Sequence, residues 1–168
     1  MEAVGAQRAA SGRRHDPFSI TRSRAMLRVL VTYASRYGST RAIAEVVAAT
    51  LRAQGMEANA RPIREVTDLL AYDAVVVGGA VYGGILHADA TAFIERHRAE
   101  LSVIPLACFV VGARFALRDE PEAARQREVV AAQVLARVSP LDLHCFAGCT
   151  TGLPRNIHAF ARKMRSAR

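Results

Sequence analysis

From residue 27 onward, the spacing of apolar positions alternates between the period of a strand and that of a helix. Three largely apolar runs, rich in valine, are typical of strands buried on both faces of a parallel sheet. They lie at 28–33, 74–77 and 106–111. Residues 56–61 and 141–147 alternate apolar and polar side chains, which predicts two further strands, the first of them at a sheet edge. The pattern therefore predicts five strands.

Helices are predicted between these strands, because apolar residues recur there at helical spacing. The first helix carries apolar residues over 43–51 and ends before Gly55. A short helical turn is predicted within 63–72. The later helices are predicted from Asp89 as the cap to Leu101, from about 119 to 138, and around 157–164.

This alternation of strands and helices predicts an α/β fold with a doubly wound, five-stranded parallel sheet in a three-layer α/β/α arrangement. Ligands in this class bind beyond the carboxyl ends of the strands, near the switch in strand order. The loops that follow Tyr33, Val77, Val111 and Ala147 are therefore the predicted functional loops.

Chain length and the distribution of charge predict one domain preceded by a basic N-terminal segment. The 168 residues suit one domain with one sizeable core. Residues 1–25 show no apolar periodicity and carry five arginines against Glu2 and Asp16, so we predict a disordered basic tail followed by a domain over 26–168. Met26 stands directly before the first strand and is an alternative start. The chain shows no secretory or membrane-spanning run, which predicts a cytoplasmic protein.

Cysteine usage predicts no disulfide framework and no metal centre. Cys108, Cys145 and Cys149 are an odd and small number of thiols, which favours reduced, buried side chains. No second pair of cysteines or histidines stands at the spacing of a zinc site.

The loop after the first strand combines hydroxyls, a glycine and a positive charge directly before a helix. Ser35, Ser39 and Thr40 supply the hydroxyls, Gly38 permits close approach of the backbone, and Arg36 adds the charge. A helix start of this kind binds anions such as phosphate. A plain helix cap formed by one of the hydroxyls explains the same residues equally well. A P-loop and a dinucleotide fingerprint are both excluded, because their lysine and their glycine spacing are missing.

The stretch 31–47 resembles the flavodoxin signature. Six residues stand where that pattern requires them: Tyr33, Ser35, Gly38, Thr40, Ala44 and Val47. The resemblance implies strand order 2-1-3-4-5, one bound FMN as cofactor, and catalysis carried by that cofactor rather than by a side chain. It also assigns the FMN phosphate to the first loop: Ser35, Arg36, Tyr37, Gly38, Ser39 and Thr40.

The resemblance implies that the second and third loops hold the flavin ring. The residues it assigns to the ring are Ala80, Val81, Tyr82, Gly83, Gly84, Val111, Gly112, Ala113 and Arg114. Two alternatives stay open: Tyr82 packs on its own loop while the glycines only turn the chain, and Phe115 is either a cover over the flavin or a buried plug. His87 is interpreted as a loop or helix-entry residue rather than a catalyst.

Residues 105–111 and 146–149 are similar to the menaquinone-dependent protoporphyrinogen dehydrogenases. That likeness implies an FMN-dependent oxidoreductase that passes electrons from a reduced, porphyrinogen-like substrate to a quinone or protein acceptor. The alternatives are a flavodoxin-type electron-transfer module without its own substrate and a flavin-less binding protein on the same fold. The arginines are scattered rather than clustered with aromatics, so nucleic acid is not an expected partner.

The net charge of +8 leads to two further hypotheses. A basic face can contact the anionic inner leaflet of the cell membrane, where quinones reside. Arg36, Arg114 and Arg118 lie in loops at the predicted ligand end, where positive charge stabilises reduced FMN. Both hypotheses favour a quinone acceptor over a low-potential donor role.

Overall fold

The computed structural model describes residues 26–117 and 120–148. The predicted tail over 1–25, the predicted helix around 157–164, Arg118 and Cys149 lie outside the described residues. The described elements follow one another in the order β1 Arg28–Ala34, α1 Ser39–Ala53, β2 Glu57–Pro62, a 3₁₀ turn Ile63–Glu65, β3 Ala74–Tyr82, β4 Ile85–Leu86, α2 Ala88–Arg96, α3 Arg98–Leu101, β5 Leu106–Gly112, a 3₁₀ turn Ala113–Ala116, α4 Pro121–Leu135 and β6 Asp142–Ala147.

Five strands form the parallel sheet in the order β2-β1-β3-β5-β6. The predicted order 2-1-3-4-5 is confirmed, since β5 and β6 are the fourth and fifth strands of that prediction. The short β4 was not predicted, and it pairs antiparallel with the end of β3. The switch in strand order lies between β1 and β3, where the chain leaves β1 in one direction and β3 in the other.

The two faces of the sheet carry separate apolar clusters. Val29 and Val31 of β1 point toward α1, whereas Leu30 points toward the layer that contains α2 and α4. Both faces of β1, β3 and β5 are covered, which explains why these three strands are largely apolar. None of the helices in the described ranges is long and apolar enough to cross a membrane.

Three predicted boundaries were wrong for identifiable physical reasons. β3 continues to Tyr82 instead of ending at Val77, because Gly78 and Gly79 lie inside the strand, where Gly78 faces the ring of Phe109. The helix predicted over 89–101 is divided at His97, which ends α2 and begins α3. The helix predicted from about 119 begins at Pro121 instead. Proline is favoured in the first turn of a helix because its missing N–H is not needed there.

Candidate functional site

The loops that follow β1, β3 and β5 meet at the carboxyl edge of the sheet. Strand register aligns Ala34 with Gly79 and Ala80 with Val111, so the ends of these strands lie side by side. The end of β2 joins the same edge, because Tyr33 is aligned with Pro62. The fold therefore brings the predicted first, second and third loops together.

The first loop enters α1 without a side-chain cap. Gly38 is the N-cap residue with φ 92°, a conformation that favours glycine, and no side chain caps the helix by hydrogen bond. The N–H of Gly38 donates to Ser35 Oγ at 3.0 Å, and its carbonyl accepts from the N–H of Ala42 at 3.0 Å. The alternative that Ser39 or Thr40 is a plain cap was therefore wrong. The first turn also contains no acidic residue, so its positive end is not neutralised from within the helix.

Thr40 is fully buried at this helix start, and its hydroxyl is unsatisfied. Its Oγ1 has no hydrogen-bond partner among residues 26–117 and 120–148. A buried polar group in this state costs about 1–3 kcal/mol. The Thr40 hydroxyl is therefore available to donate a hydrogen bond to an anionic ligand at this uncapped helix start.

A cavity of about 260 Å³ adjoins the first loop on its β2 side. Its lining includes three arginines, namely Arg36, Arg41 and Arg64, together with Asp89 of α2. Arg41 donates to Glu45 Oε1 at 2.8 Å, and this contact raises the pKa of the Arg41 guanidinium. Arg64 was missed by the sequence reasoning. The available signal was its place just after β2, whose end lies beside the first loop.

Aromatic side chains connect the first and second loops. The ring of Tyr37 meets that of Tyr82 edge-on, with 5.8 Å between centroids, and Tyr82 lies 6.1 Å from the ring of His87. The guanidinium of Arg36 lies over Tyr37, 5.5 Å from the ring centroid. Tyr82 therefore packs on His87 of its own loop, as one alternative proposed, and also contacts Tyr37 of the first loop.

The second loop is a two-residue hairpin turn, here called the glycine turn (residues 82–85). Val81 pairs with Leu86 and Tyr82 with Ile85, which leaves Gly83 and Gly84 at the tip. Their φ values are 58° and 81°, the left-handed conformation that a tight hairpin of this type requires. The glycines do turn the chain, as one alternative proposed.

His87 enters α2, as the sequence indicated. Its Nδ1 accepts from the N–H of Asp89 at 3.2 Å, and His87 is the N-cap residue. The predicted cap, Asp89, was therefore wrong: it lies in the first turn, where its charge suits the helix dipole.

The third loop forms the 3₁₀ turn that follows β5. Phe115 is buried at 4% exposure, and its ring lies 3.1 Å from the position that a Cβ on Gly112 would take, closer than ordinary van der Waals contact. Phe115 is therefore a plug rather than a cover, while Ala113 and Arg114 are exposed.

Three of the predicted ring-binding side chains belong to the core. Ala80, Val81 and Val111 are all below 8% exposure, because alternate positions of β3 and β5 point into the two apolar clusters. These residues offer mainly their backbone to the carboxyl edge. Tyr82, Gly83, Ala113 and Arg114 are the exposed members of the predicted set in these two loops.

The two described cysteines are free thiols inside the sheet. Burial raises the pKa of Cys108 to about 12, and it also raises the pKa of the half-buried Cys145. Within the described ranges, no group of three histidine, cysteine or acidic residues is placed to hold a metal ion.

A sequence model of the flavodoxin domain, Flavodoxin_5, matches residues 30–164. The chain belongs to the flavodoxin domain family. The resemblance seen in residues 31–47 is thereby confirmed. Membership of this family implies flavin binding and electron transfer.

A more distant similarity connects this flavodoxin-domain protein to an enzyme. It is 28% identical over 87 residues to the protoporphyrinogen IX dehydrogenase (quinone) of Escherichia coli strain K12. The match covers 51% of this chain and 48% of the enzyme, so the chain spans about half the length of the curated relatives it matches.

Solved flavodoxins share the fold of this flavodoxin-domain protein. The flavodoxin of Streptococcus pneumoniae TIGR4 gives a TM-score of 0.60 at 19% identity, and oxidised flavodoxin 1 of Bacillus cereus gives 0.59 at 16% identity. Each comparison covers 84% of this chain and 99% of the flavodoxin. At these identities the likeness shows the fold alone.

Proposed function

We propose that the protein binds one FMN at the carboxyl edge of its sheet and transfers electrons through it. The first loop holds the phosphate, and the glycine turn and the third loop hold the ring. The observation that carries this proposal is the buried, unpartnered hydroxyl of Thr40 at a helix start that has no side-chain cap.

The first loop suits a doubly charged phosphate in three ways. The first turn of α1 offers backbone N–H groups and the positive end of a helix dipole. The hydroxyls of Ser39 and Thr40 lie in that same turn, and the exposed Arg36 adds a full positive charge. The left-handed Gly38 brings the backbone into the loop without a side chain in the way, since no atom lies within 4 Å of a Cβ built there.

The ring is assigned to the glycine turn and the third loop because they follow the neighbouring strands β3 and β5. Tyr82 supplies an exposed aromatic face at 39% exposure, and the backbone of Gly83 is unobstructed. When bound, FMN supplies the electron-accepting and electron-donating chemistry. The protein orients the ring, excludes water from one face, and sets its electrostatic surroundings.

Two electron-transfer roles are compatible with this site. The similarity to protoporphyrinogen IX dehydrogenase supports an oxidoreductase that takes electrons from a porphyrinogen-like substrate and passes them to a quinone or protein acceptor. A carrier without its own substrate is the alternative, because the similarity reaches only 48% of the enzyme's length. Steady-state turnover of protoporphyrinogen with a quinone separates the two.

Titration of the purified protein with FMN tests the binding proposal. We expect uptake of one FMN per chain, with quenching of flavin fluorescence and a shifted visible spectrum. Riboflavin, which lacks the phosphate, is expected to bind more weakly because it cannot use the first loop. A protein that takes up neither flavin would contradict the proposal and favour a flavin-less binding protein.

A second prediction concerns the reduction potential of the bound flavin. Arg114 is exposed in the third loop, and positive charge there favours the reduced, more anionic flavin. Arg114→Gln is expected to lower the two-electron potential by about 20 mV, which corresponds to about 1 kcal/mol. Redox titration with reference dyes measures the shift, which salt is expected to diminish.

The matched control is Arg98→Gln, which removes an arginine at the opposite, amino edge of the sheet. Its potential is expected to equal that of the natural protein. Equal shifts in both variants would show that net charge, rather than the third loop, sets the potential.

A further inference from the structure

Gln133 of α4 makes two hydrogen bonds to the glycine turn. Its Nε2 donates to the carbonyl of Gly84 at 2.8 Å, and its Oε1 accepts from the N–H of Leu86 at 3.1 Å. These contacts join residues that are 47 and 49 positions apart in sequence. A single side chain therefore ties both ends of this short backbone segment to a helix.

The geometry of β4 explains why one carboxamide suits this segment. The carbonyl of Gly84 comes directly before β4 and the N–H of Leu86 lies at its end, and both face the side chain of Gln133. β4 pairs with β3 on its other side and has only two residues. The carboxamide, with one donor and one acceptor, satisfies both backbone groups on the side of β4 that does not pair with β3.

The tip of the glycine turn is otherwise weakly constrained. Gly83 and Gly84 have no Cβ, so their backbone has more conformations available than that of any other residue. A Cβ built on Gly83 has no atom within 4 Å, so packing does not fix its position. The hydrogen bonds from Gln133 therefore add a second anchor, on the side of the turn that does not pair with β3.

We propose that Gln133 is a positioning residue for flavin binding, which holds the glycine turn in the conformation that receives the ring. This inference rests on the proposed function, because the turn is assigned to the ring there. The side chain acts through the backbone of residues 84–86. FMN affinity and potential thus depend on a residue of α4, outside the three loops that carry the predicted site.

Gln133→Met tests this role, since methionine keeps the length and helix propensity of glutamine but makes neither hydrogen bond. We expect FMN to bind about tenfold more weakly, which corresponds to about 1.4 kcal/mol. We also expect the potential of the bound flavin to move, because the turn would no longer be held equally for the oxidised and reduced ring. A tenfold change in that affinity ratio equals about 30 mV.

Gln126→Met is the matched control. Gln126 lies on the same helix and near the same turn, 3.5 Å from a Cβ built on Gly84, and no hydrogen bond to the turn is described for it. Its FMN affinity and potential are expected to equal those of the natural protein. Gln133→Ala repeats the test if the methionine variant folds poorly, with circular dichroism to show that each variant is folded.

A measurement without flavin separates this inference from the proposed function. In the flavin-free protein, hydrogen exchange at the N–H of Leu86 is expected to be at least about tenfold faster in Gln133→Met than in the natural protein. If the natural protein binds no FMN, the proposed function fails whatever the exchange shows. If it binds FMN, and Gln133→Met keeps its affinity, potential and Leu86 protection, the role of Gln133 is overturned alone. Equal losses in Gln126→Met would overturn it as well.

Discussion

Replacing Thr40 by valine is expected to weaken FMN binding roughly 10- to 100-fold, which matches the 1.5–3 kcal/mol of a hydrogen bond to a charged group. Valine has nearly the shape of threonine, so the packing of this fully buried position is retained. Riboflavin binding is expected to stay unchanged, because the hydroxyl is assigned to the phosphate. Fluorescence titration with the two flavins measures both affinities.

The same substitution is expected to stabilise the flavin-free protein. The hydroxyl of Thr40 is buried without a partner among the described residues, so its removal relieves a desolvation cost of about 1 kcal/mol or more. Affinity and stability should therefore change in opposite directions. Chemical denaturation of the flavin-free protein measures the second effect.

Two controls make this result specific. Thr50→Val removes a hydroxyl from the same helix, but that hydroxyl donates to the carbonyl of Val46 at 2.9 Å, away from the first loop. It should leave FMN affinity unchanged. Thr40→Ser keeps the hydroxyl and should keep most of the affinity. If Thr40→Val weakened the binding of FMN and of riboflavin equally, the assignment of the Thr40 hydroxyl to the phosphate would be wrong.

Most of the fold was predictable because the central strands are buried on both faces and are therefore largely apolar in sequence. β1, β3 and β5 are covered on both faces, and each shows a largely apolar run. The parallel arrangement followed from the helices between them. Strand order came from the resemblance to flavodoxins, since periodicity alone does not say which strands are neighbours.

The elements that were missed depend on contacts between distant parts of the chain. β3 extends through two glycines because the space above Gly78 belongs to Phe109, 31 residues later in the sequence. β4 has only two residues, too few for any periodicity to show. Gly83 and Gly84, between Tyr82 and Ile85, were a usable hairpin signal, although the sequence analysis assigned them to the flavin ring or to a turn without predicting a strand after them.

The candidate site was predicted in its loops but less well in its side chains. The first-loop residues lie together at the helix start, as the signature indicated. Ala80, Val81 and Val111 were assigned to loops but lie at the ends of β3 and β5, where their side chains are buried in the core. Arg64 was missed because its approach to the first loop requires the pairing of β1 with β2.

The first loop breaks two local rules at one place, since a helix begins without a side-chain cap and a hydroxyl is buried without a partner. Among the described residues, α3 and α4 also begin without a side-chain cap, and His97 Nε2 is also buried without a partner. The first loop differs from them because it lies at the carboxyl edge of the sheet, beside a cavity lined by three arginines. Such local departures concentrate at functional sites, where a ligand satisfies the groups that the protein does not. This is the physical basis for assigning the phosphate to this loop.

The largest expected loss of stability comes from Gly78→Ala. A Cβ on Gly78 would lie 2.2 Å from Cζ of Phe109 and within 2.7 Å of two further ring atoms. Phe109 is 2% exposed, and its ring centroid lies 5.8 Å from that of Phe146, so the ring has little room to move away. We expect the free energy of unfolding to fall by about 3 kcal/mol, at the upper end for overpacked cores. Denaturant titration of the flavin-free protein measures this loss.

Comparison with Gly55→Ala separates overpacking from backbone strain. Gly55 has φ 81° and no atom within 4 Å of a built Cβ, so alanine there should cost only about 1 kcal/mol of left-handed strain. Phe109→Leu in the Gly78→Ala background should recover part of the stability, because the smaller side chain vacates the space that the new methyl needs. The two substitutions would then be non-additive, as expected for residues in contact. If Gly78→Ala were no less stable than Gly55→Ala, the core around Phe109 would have room for the added methyl group. Packing against Phe109 would then not be the reason for a glycine at position 78.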